Sequence, residues 1–165
     1  LFYATQAREP FPYYQHEHIG YNYRMSNICA GIGCGQMTVL EKHIAHHRHV
    51  HALYEQAFAD IEGITLKSNP AKEFDANYWL CTILIDPVAT GFDYEELRVA
   101  LDAKGIETRP LWKPMHLQPV FAHNPCYIDG TAEKLFNKGL CIPAGPFVTD
   151  EDVAYIVNEI RKQLR

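Results

Sequence analysis

A long stretch without proline limits most strongly what this chain can fold into. No proline occurs between Ser26 and Asn69. Apolar residues recur there at near-helical spacing, at Ile28, Ile32, Val39, Leu40, Ile44, Val50, Tyr54, Phe58 and Ile61. Gly63 is a plausible stop, since glycine is common just past a helix end. We therefore predict a helix over 26–62, which would be roughly 50 Å long as one rod. A compact domain does not need that length, so the helix either breaks near Gly35 or bridges two lobes.

The remainder of the chain predicts an irregular arm and a small mixed domain. Residues 1–25 are rich in Tyr, Pro and His and have little periodicity, which is typical of an irregular arm. Strands and helices then alternate, starting with a strand, over 77–86, 93–105, 106–112, 131–139, 140–145 and 149–165. This order predicts an α/β (α+β) fold class, with a short sheet covered by helices in a C-terminal domain over 63–165.

Charge, apolar runs and cysteines argue against several classes of protein. The 165 residues include 15 Lys and Arg against 20 Asp and Glu, so the net charge is −5. A nucleic-acid-binding surface is usually basic, so no nucleic-acid partner is predicted. No apolar run has the length of a membrane span. The five cysteines are an odd number without a C-x-x-C pair, which favours a reduced, cytoplasmic protein.

The glycine-rich segment "GYNYRMSNICAGIGCGQ", from Gly20, has two interpretations. A phosphate-binding loop would follow a strand and precede a helix. Gly31, Gly33 and Gly35 instead lie after the predicted helix start, and no lysine follows with P-loop spacing. Glycine destabilises a helix by about 1 kcal/mol relative to alanine. We therefore expect these small residues to allow close contact with another backbone.

Two polar residues just before this helix form a separate candidate site. Asn22 and Arg24 precede a helix N-terminus, where backbone N–H groups and the dipole favour an anion. A well-ordered cap beside a surface arginine is the simpler interpretation of these residues alone. Both interpretations stay open.

The segment "EKHIAHHRHVH" places histidines close together on the predicted helix. His43, His47 and His51 are spaced by four residues and could hold zinc on one helix face. H-E-x-x-H is absent, and no nearby cysteine or carboxylate completes a ligand set. A solvated face is the simpler interpretation, and no metal site is predicted.

The proline-stiffened stretch "RPLWKPMHLQPVF" is a third candidate site. Arg109, Trp112, Lys113 and His116 could present hydrogen-bond donors and an aromatic face to a sugar or nucleotide. A rigid packed connection is the alternative interpretation.

Three segments carry a resemblance to a known family: "GYNYRMSNICAGIGCGQMTVLEKHI", "GIETRPLWKPMHLQPVF" and "GLCIPAGPFVTDEDVAYIVNEIR". Their order and spacing closely resemble the C-terminal part of DegT/DnrJ/StrS-type aminotransferases. These are pyridoxal-phosphate enzymes that aminate nucleotide-linked keto-sugars. The resemblance covers nearly the whole chain. It implies the small domain of a fold-type-I aminotransferase, with the long helix running between the large and small domains.

The resemblance also assigns roles to residues. It implies that Asn22, with Arg24 beside it, reaches the phosphate of pyridoxal 5'-phosphate in the neighbouring subunit, so a homodimer with shared active sites is expected. Arg109, Trp112 and His116 lie in or beside the "WKPMH" loop and are assigned to the nucleotide-sugar substrate.

The resemblance implies that the catalytic groups lie elsewhere. In the family the Schiff-base lysine, the acid facing the pyridine nitrogen and the phosphate cup belong to a large N-terminal domain, which this chain lacks. Lys113 does not match the lysine position, so no catalytic residue is predicted here and the chain alone is expected to be inactive. The expected parent enzyme uses glutamate as amino donor in polysaccharide or lipopolysaccharide synthesis. A truncated, non-catalytic interaction module and, less favoured, a His-rich metal-binding helical domain are the alternatives.

Overall fold

The computed structural model describes residues 1–164, which divide after Glu41 into two compact units. The first unit holds the N-terminal arm and one helix. The second holds a four-stranded sheet with the helices that cover it. Among the described residues, no helix combines the length and the apolar character needed to cross a membrane.

The N-terminal arm is closed on itself by backbone hydrogen bonds. A short 3₁₀ turn, Phe2–Ala4, is followed by an isolated antiparallel bridge between Thr5 and Asn22. Ala7 is completely buried, and a Cβ added to Gly20 would lie 2.4 Å from the Ala7 nitrogen. Glycine at position 20 is therefore required for the two passes of the arm to approach each other.

The single helix predicted over 26–62 is wrong, because the structure has two helices there. Helix α1 spans Asn27–Met37 and helix α2 spans Leu40–Phe58. At the break, the Thr38 hydroxyl donates to the Gly35 carbonyl oxygen at 2.8 Å. Such a local side-chain bond competes with the backbone hydrogen bonds of a helix. The glycines of α1 further weaken the helix at this point. The break lies close to Gly35, where the sequence offered it as one alternative.

The glycines of α1 do not make the close contact expected of them. An added Cβ at Gly31, Gly33 or Gly35 would meet nothing within 4 Å. Every α1 residue is exposed except Ala30, which is half-buried. Within residues 1–41, therefore, no backbone packs against the small-residue face of α1.

The sheet of the second unit is antiparallel throughout. Its strands are β1 (Ile64–Leu66), β2 (Cys81–Ile85), β3 (Arg109–Pro110) and β4 (Gly139–Ile142), in the spatial order β1-β2-β4-β3. Strand β1 was not predicted, since three residues are too few to show a pattern. The small sheet with its helices confirms the predicted mixed fold class.

Four further helices belong to this unit: α3 (Pro87–Thr90), α4 (Tyr94–Asp102), α5 (Thr131–Phe136) and α6 (Asp150–Arg161). Two of them begin with a capping box, in which Asp93 accepts from the backbone N–H of Glu96 and Thr149 from that of Asp152. These caps fix where α4 and α6 begin. Short 3₁₀ turns at Met115–Leu117 and Pro119–Phe121 shape the long connection between β3 and α5.

The core of the second unit lies between the sheet and helices α2, α4 and α6. Strand β2 contributes alternate side chains, with Ile83 and Ile85 buried. The Tyr54 hydroxyl donates to the Pro143 carbonyl oxygen at 2.9 Å, which satisfies its one polar group inside the core. The helices contribute Val50, Tyr54, Phe58, Leu97, Leu101, Val153, Ile156, Val157 and Ile160. This packing holds β3 and β4, and hence the residues at their edge, in fixed positions.

Candidate functional site

An apolar cleft of about 890 Å³ in the second unit brings together two of the predicted substrate residues, Arg109 and Trp112. Residues from β4 and the following turn form one part of its wall, and α6 contributes Tyr155 and Ile156. Glu107, Arg109 and Asp152 are its charged residues. Mostly apolar walls with a few polar groups are typical of small-molecule sites.

Arg109 is held at the edge of the sheet with its guanidinium in solvent. It pairs with Cys141 in the β3–β4 register, and its side chain is 78% exposed. Its Nε donates to Glu107 Oε1 at 2.8 Å, and a second guanidinium nitrogen contacts the same oxygen. An exposed ion pair of this kind contributes about 0–1 kcal/mol. Arg109 can therefore leave Glu107 for a phosphate or carboxylate ligand with little loss.

Two tryptophans form an aromatic wall of the same cleft. The Trp79 and Trp112 ring centroids lie 6.4 Å apart, with a tilt of 47° between the planes. Both side chains are more than half exposed, an unusual state for tryptophan in a unit with a well-formed core. Exposed, rigid rings suit stacking against a flat or sugar-like ligand.

Sequence reasoning missed Trp79, because it lies in the apolar run predicted as the strand 77–86. The strand begins only at Cys81. Tyr78 has a left-handed φ of 50°, and the Trp79 N–H donates to Asn77 Oδ1 at 3.2 Å. Asn77 was the signal in the sequence for a turn at this point, since asparagine side chains commonly bond the backbone two residues later. Because of this turn, Trp79 lies before the strand and does not follow its alternation of buried and exposed side chains.

His116 does not line this cleft. It lies in the 3₁₀ turn Met115–Leu117 and lines two smaller pockets with Met115, Tyr127 and Ile128 among others. Its Nε2 is 2.8 Å from Glu133 Oε1, and its side chain is only 16% exposed. The structure thus brings Arg109 and Trp112 into one cleft and places His116 in a separate one. Glu133 was also missed by sequence reasoning, because 17 residues separate it from its partner.

Asn22 and Arg24 belong to the first unit. The backbone of Asn22 is fixed by the bridge to Thr5, and both side chains are exposed. Ser26 caps α1, where its hydroxyl accepts from the Cys29 N–H at 3.2 Å. A carboxamide and a guanidinium on an ordered segment have the donor groups that a phosphate needs. The donor groups of Asn22 and Arg24 therefore fit a phosphate group, such as that of pyridoxal 5'-phosphate.

The histidines of α2 do not act as one group. His51 is buried, stacks on Tyr78 at 3.7 Å between ring centroids, and donates through Nε2 to the Lys67 carbonyl oxygen. Burial, followed by the neighbouring charges of His46 and His43, lowers the pKa of His47. No group of three or more potential metal ligands is found within residues 1–164. His51 does not fit the zinc ligand set suggested by the spacing, because its Nε2 is bonded to the Lys67 carbonyl oxygen.

The thiols differ sharply in their surroundings. Cys81 and Cys141 are buried in the sheet, whereas Cys29, Cys34 and Cys126 are exposed. Burial, with a smaller contribution from Cys141, raises the pKa of Cys81 to about 12. No disulfide joins any of the five thiols.

Comparison with known proteins finds relatives along nearly the whole chain. EpsN of Bacillus subtilis (strain 168), provisionally named a pyridoxal phosphate-dependent aminotransferase, is 36% identical over 160 residues, which are 94% of this chain and 40% of EpsN. GDP-perosamine synthase of Escherichia coli O157:H7 is 34% identical over 149 residues, or 90% of this chain and 39% of that protein. The chain thus spans about two fifths of the length of these curated relatives.

A solved structure shares the fold. The aminotransferase TlmJ from Streptoalloteichus hindustanus superposes with a TM-score of 0.84 at 19% identity, covering 98% of this chain and 43% of that one. The DegT/DnrJ/EryC1/StrS aminotransferase family matches residues 3–161. With its motifs, its small antiparallel sheet and this match in agreement, the chain belongs to the DegT/DnrJ/EryC1/StrS aminotransferase family and corresponds to its C-terminal, small-domain part.

Proposed function

We propose that the protein carrying this chain transfers an amino group, from glutamate, to a nucleotide-linked keto-sugar used in polysaccharide or lipopolysaccharide synthesis. The observation that carries the proposal is the cleft in which Arg109 and Trp112 meet. It offers a cation for a phosphate and aromatic faces for a base or sugar. The 34% identity to a GDP-perosamine synthase supports a nucleotide sugar as the substrate class.

Pyridoxal 5'-phosphate, when bound, supplies the electron sink that amino-group transfer needs. We infer that its lysine and most of its contacts belong to a large domain outside this chain. Asn22 and Arg24 donate to its phosphate from the neighbouring subunit. In the second unit, Arg109 and Trp112 bind the substrate in their cleft, and His116 contacts its sugar from the separate pockets that it lines.

A homodimer follows from the same proposal. Helix α1 presents Ile28 and Ile32, which are four residues apart on one helix face, to solvent at 77% and 62% exposure. An apolar face of this kind marks an interaction surface more often than a free one. The proposed occupant is a second subunit of the same enzyme, which would also receive Asn22. The five unpaired cysteines are compatible with a reducing, cytoplasmic setting.

Replacing Asn22 in the full-length enzyme tests the proposal. A hydrogen bond to a charged group contributes about 1.5–3 kcal/mol. Asn22→Ala should therefore weaken cofactor affinity roughly ten- to a hundredfold, measured by spectral titration. Asn22→Asp should be worse, because it places a negative charge against the phosphate. Asn158→Asp is a matched control, since Asn158 is an exposed residue of α6.

Mixing two defective subunits tests whether Asn22 acts across the interface. One subunit carries Asn22→Asp, and the other lacks the cofactor-binding lysine. In a mixed dimer, the subunit that keeps its lysine receives an intact Asn22, so activity should return up to half of wild type. No return despite confirmed subunit exchange would mean that Asn22 does not act in its partner's site. An interaction module would instead lack transferase activity even with the full-length gene product.

A further inference from the structure

A partly buried carboxylate holds the ring of His116. Glu133 Oε1 lies 2.8 Å from His116 Nε2, and the two side chains are 37% and 16% exposed respectively. The exposed pair of Arg109 and Glu107 provides a contrast, since both of its side chains are more than 70% exposed. A hydrogen bond shielded from water fixes its partners more firmly than one in solvent.

Both ends of this contact lie on ordered backbone. His116 is in the turn Met115–Leu117, which the Leu117 N–H closes by donating to the Pro114 carbonyl oxygen at 2.9 Å. Glu133 is in the first turn of α5, where the helix dipole favours a negative charge. The geometry therefore does not depend on a mobile loop end.

The contact decides which ring nitrogen carries the hydrogen. An ionised carboxylate only accepts hydrogen bonds, so His116 Nε2 must be the N–H donor. In the neutral ring Nδ1 is then an acceptor. No hydrogen bond to Nδ1 is found within residues 1–164. Cys126, Tyr127 and Asp129 are the other titratable residues of the two pockets that His116 lines.

We propose that Glu133 is a positioning residue for the transferase reaction: it fixes His116 with Nε2–H on the carboxylate and presents Nδ1 to accept a hydrogen bond from a hydroxyl of the keto-sugar. This rests on the function proposed above for His116. A hydroxyl donor, and not a phosphate oxygen, is the group that such a ring recognises, because a phosphate oxygen offers no hydrogen to Nδ1.

Nitrogen-15 NMR of this chain tests the geometry without reference to activity. His116 in the wild type should show the Nε2–H tautomer with a slowly exchanging ring proton. Glu133→Gln should keep both signals, because the amide oxygen still accepts. Glu133→Ala should lose the slow proton and shift the tautomer balance. A spectrum of His116 that Glu133→Ala leaves unchanged would overturn the proposal.

Kinetics of the full-length enzyme test the role. Glu133→Ala should raise KM for the keto-sugar about five- to thirtyfold, the size of one hydrogen bond, with a smaller change in kcat. Glu133→Gln should stay within about threefold of wild type, by the same reasoning. Adding Glu133→Ala to His116→Ala should have little further effect, since coupled residues are not additive. Glu95→Ala, which removes an exposed acid paired with Arg98 on α4, is the matched control.

The outcomes separate this inference from the proposed function. If His116→Ala raises KM but Glu133→Ala does not, the positioning role is wrong and the function of His116 stands. If neither variant changes the kinetics of an active aminotransferase, the substrate role of His116 is wrong, and the role of Glu133 falls with it.

Discussion

The two units use apolar residues of similar helical spacing in opposite ways. In residues 42–164, Val153, Ile156 and Ile160 of α6 are at most 4% exposed. In residues 1–41, Ile28 and Ile32 of α1 are at least 62% exposed, although they also follow helical spacing. The comparison teaches that a period near 3.6 predicts a helix and a face, but not what covers that face.

Thiol chemistry should show the largest difference. At pH 8 a thiol with a pKa of about 12, as burial gives Cys81, is about 0.01% ionised. Cys29 and Cys34 on α1 are exposed. Iodoacetamide should therefore modify Cys29 and Cys34 more than about a thousandfold faster than Cys81. Mass spectrometry of the peptides measures the three rates. Equal rates at Cys29 and Cys81 would contradict the burial of the sheet.

The alkylation rates of the exposed thiols also test whether a second subunit covers α1 in the full-length enzyme. If a second subunit covers α1, Cys29 and Cys34 should become slow there, while Cys126, an exposed cysteine of the second unit, serves as the reference. Unchanged rates at all three thiols would remove α1 from the subunit interface.

Truncating one isoleucine in each unit should change the free energy of unfolding by very different amounts. Ile83 is completely buried in β2, whereas Ile32 is 62% exposed on α1. Ile83→Ala should lower the free energy of unfolding by about 2–5 kcal/mol, through lost burial and the cavity left behind. Ile32→Ala should change it by no more than about 0.5 kcal/mol. Urea denaturation of the chain provides the measurement, and a large effect at Ile32 would show that α1 is buried in solution.

The helix caps should give the smallest difference. Thr149→Ala should lower the free energy of unfolding of the second unit by about 0.5–2 kcal/mol. Ser26→Ala removes the single side-chain cap of α1 and should reduce only local amide protection there, measured by hydrogen exchange. Equal global losses would show that α1 unfolds together with the sheet.

The stability that the cap of α6 contributes should decrease at acidic pH. The backbone and hydroxyl of Thr149 lower the pKa of Asp152 below its ordinary value of 3.8. A carboxyl whose pKa is lower in the folded state contributes stability above its unfolded pKa, and that contribution is lost as the pH falls through the folded value. The difference between wild type and Thr149→Ala should therefore shrink below about pH 3.8.

The sequence by itself determined the capped helices, the family and the fold class. The capping boxes at Asp93 and Thr149 depend on contacts three residues apart, so their spacing shows in the sequence. The motif around Arg109, Trp112 and His116 was visible for the same reason, as one contiguous segment. The break at Thr38 was only partly visible, because its glycines weaken a helix without fixing where it ends.

Tertiary structure alone decided which of these residues meet. Trp79 joins Trp112 across 33 positions of the chain, and Glu133 joins His116 across 17, so no local spacing could pair them. The turn at Tyr78 moved Trp79 out of its expected strand, and the short sheet placed Arg109 at its edge. Long-range packing sets such pairs, because side chains distant in sequence become neighbours only when the strands and helices between them are packed.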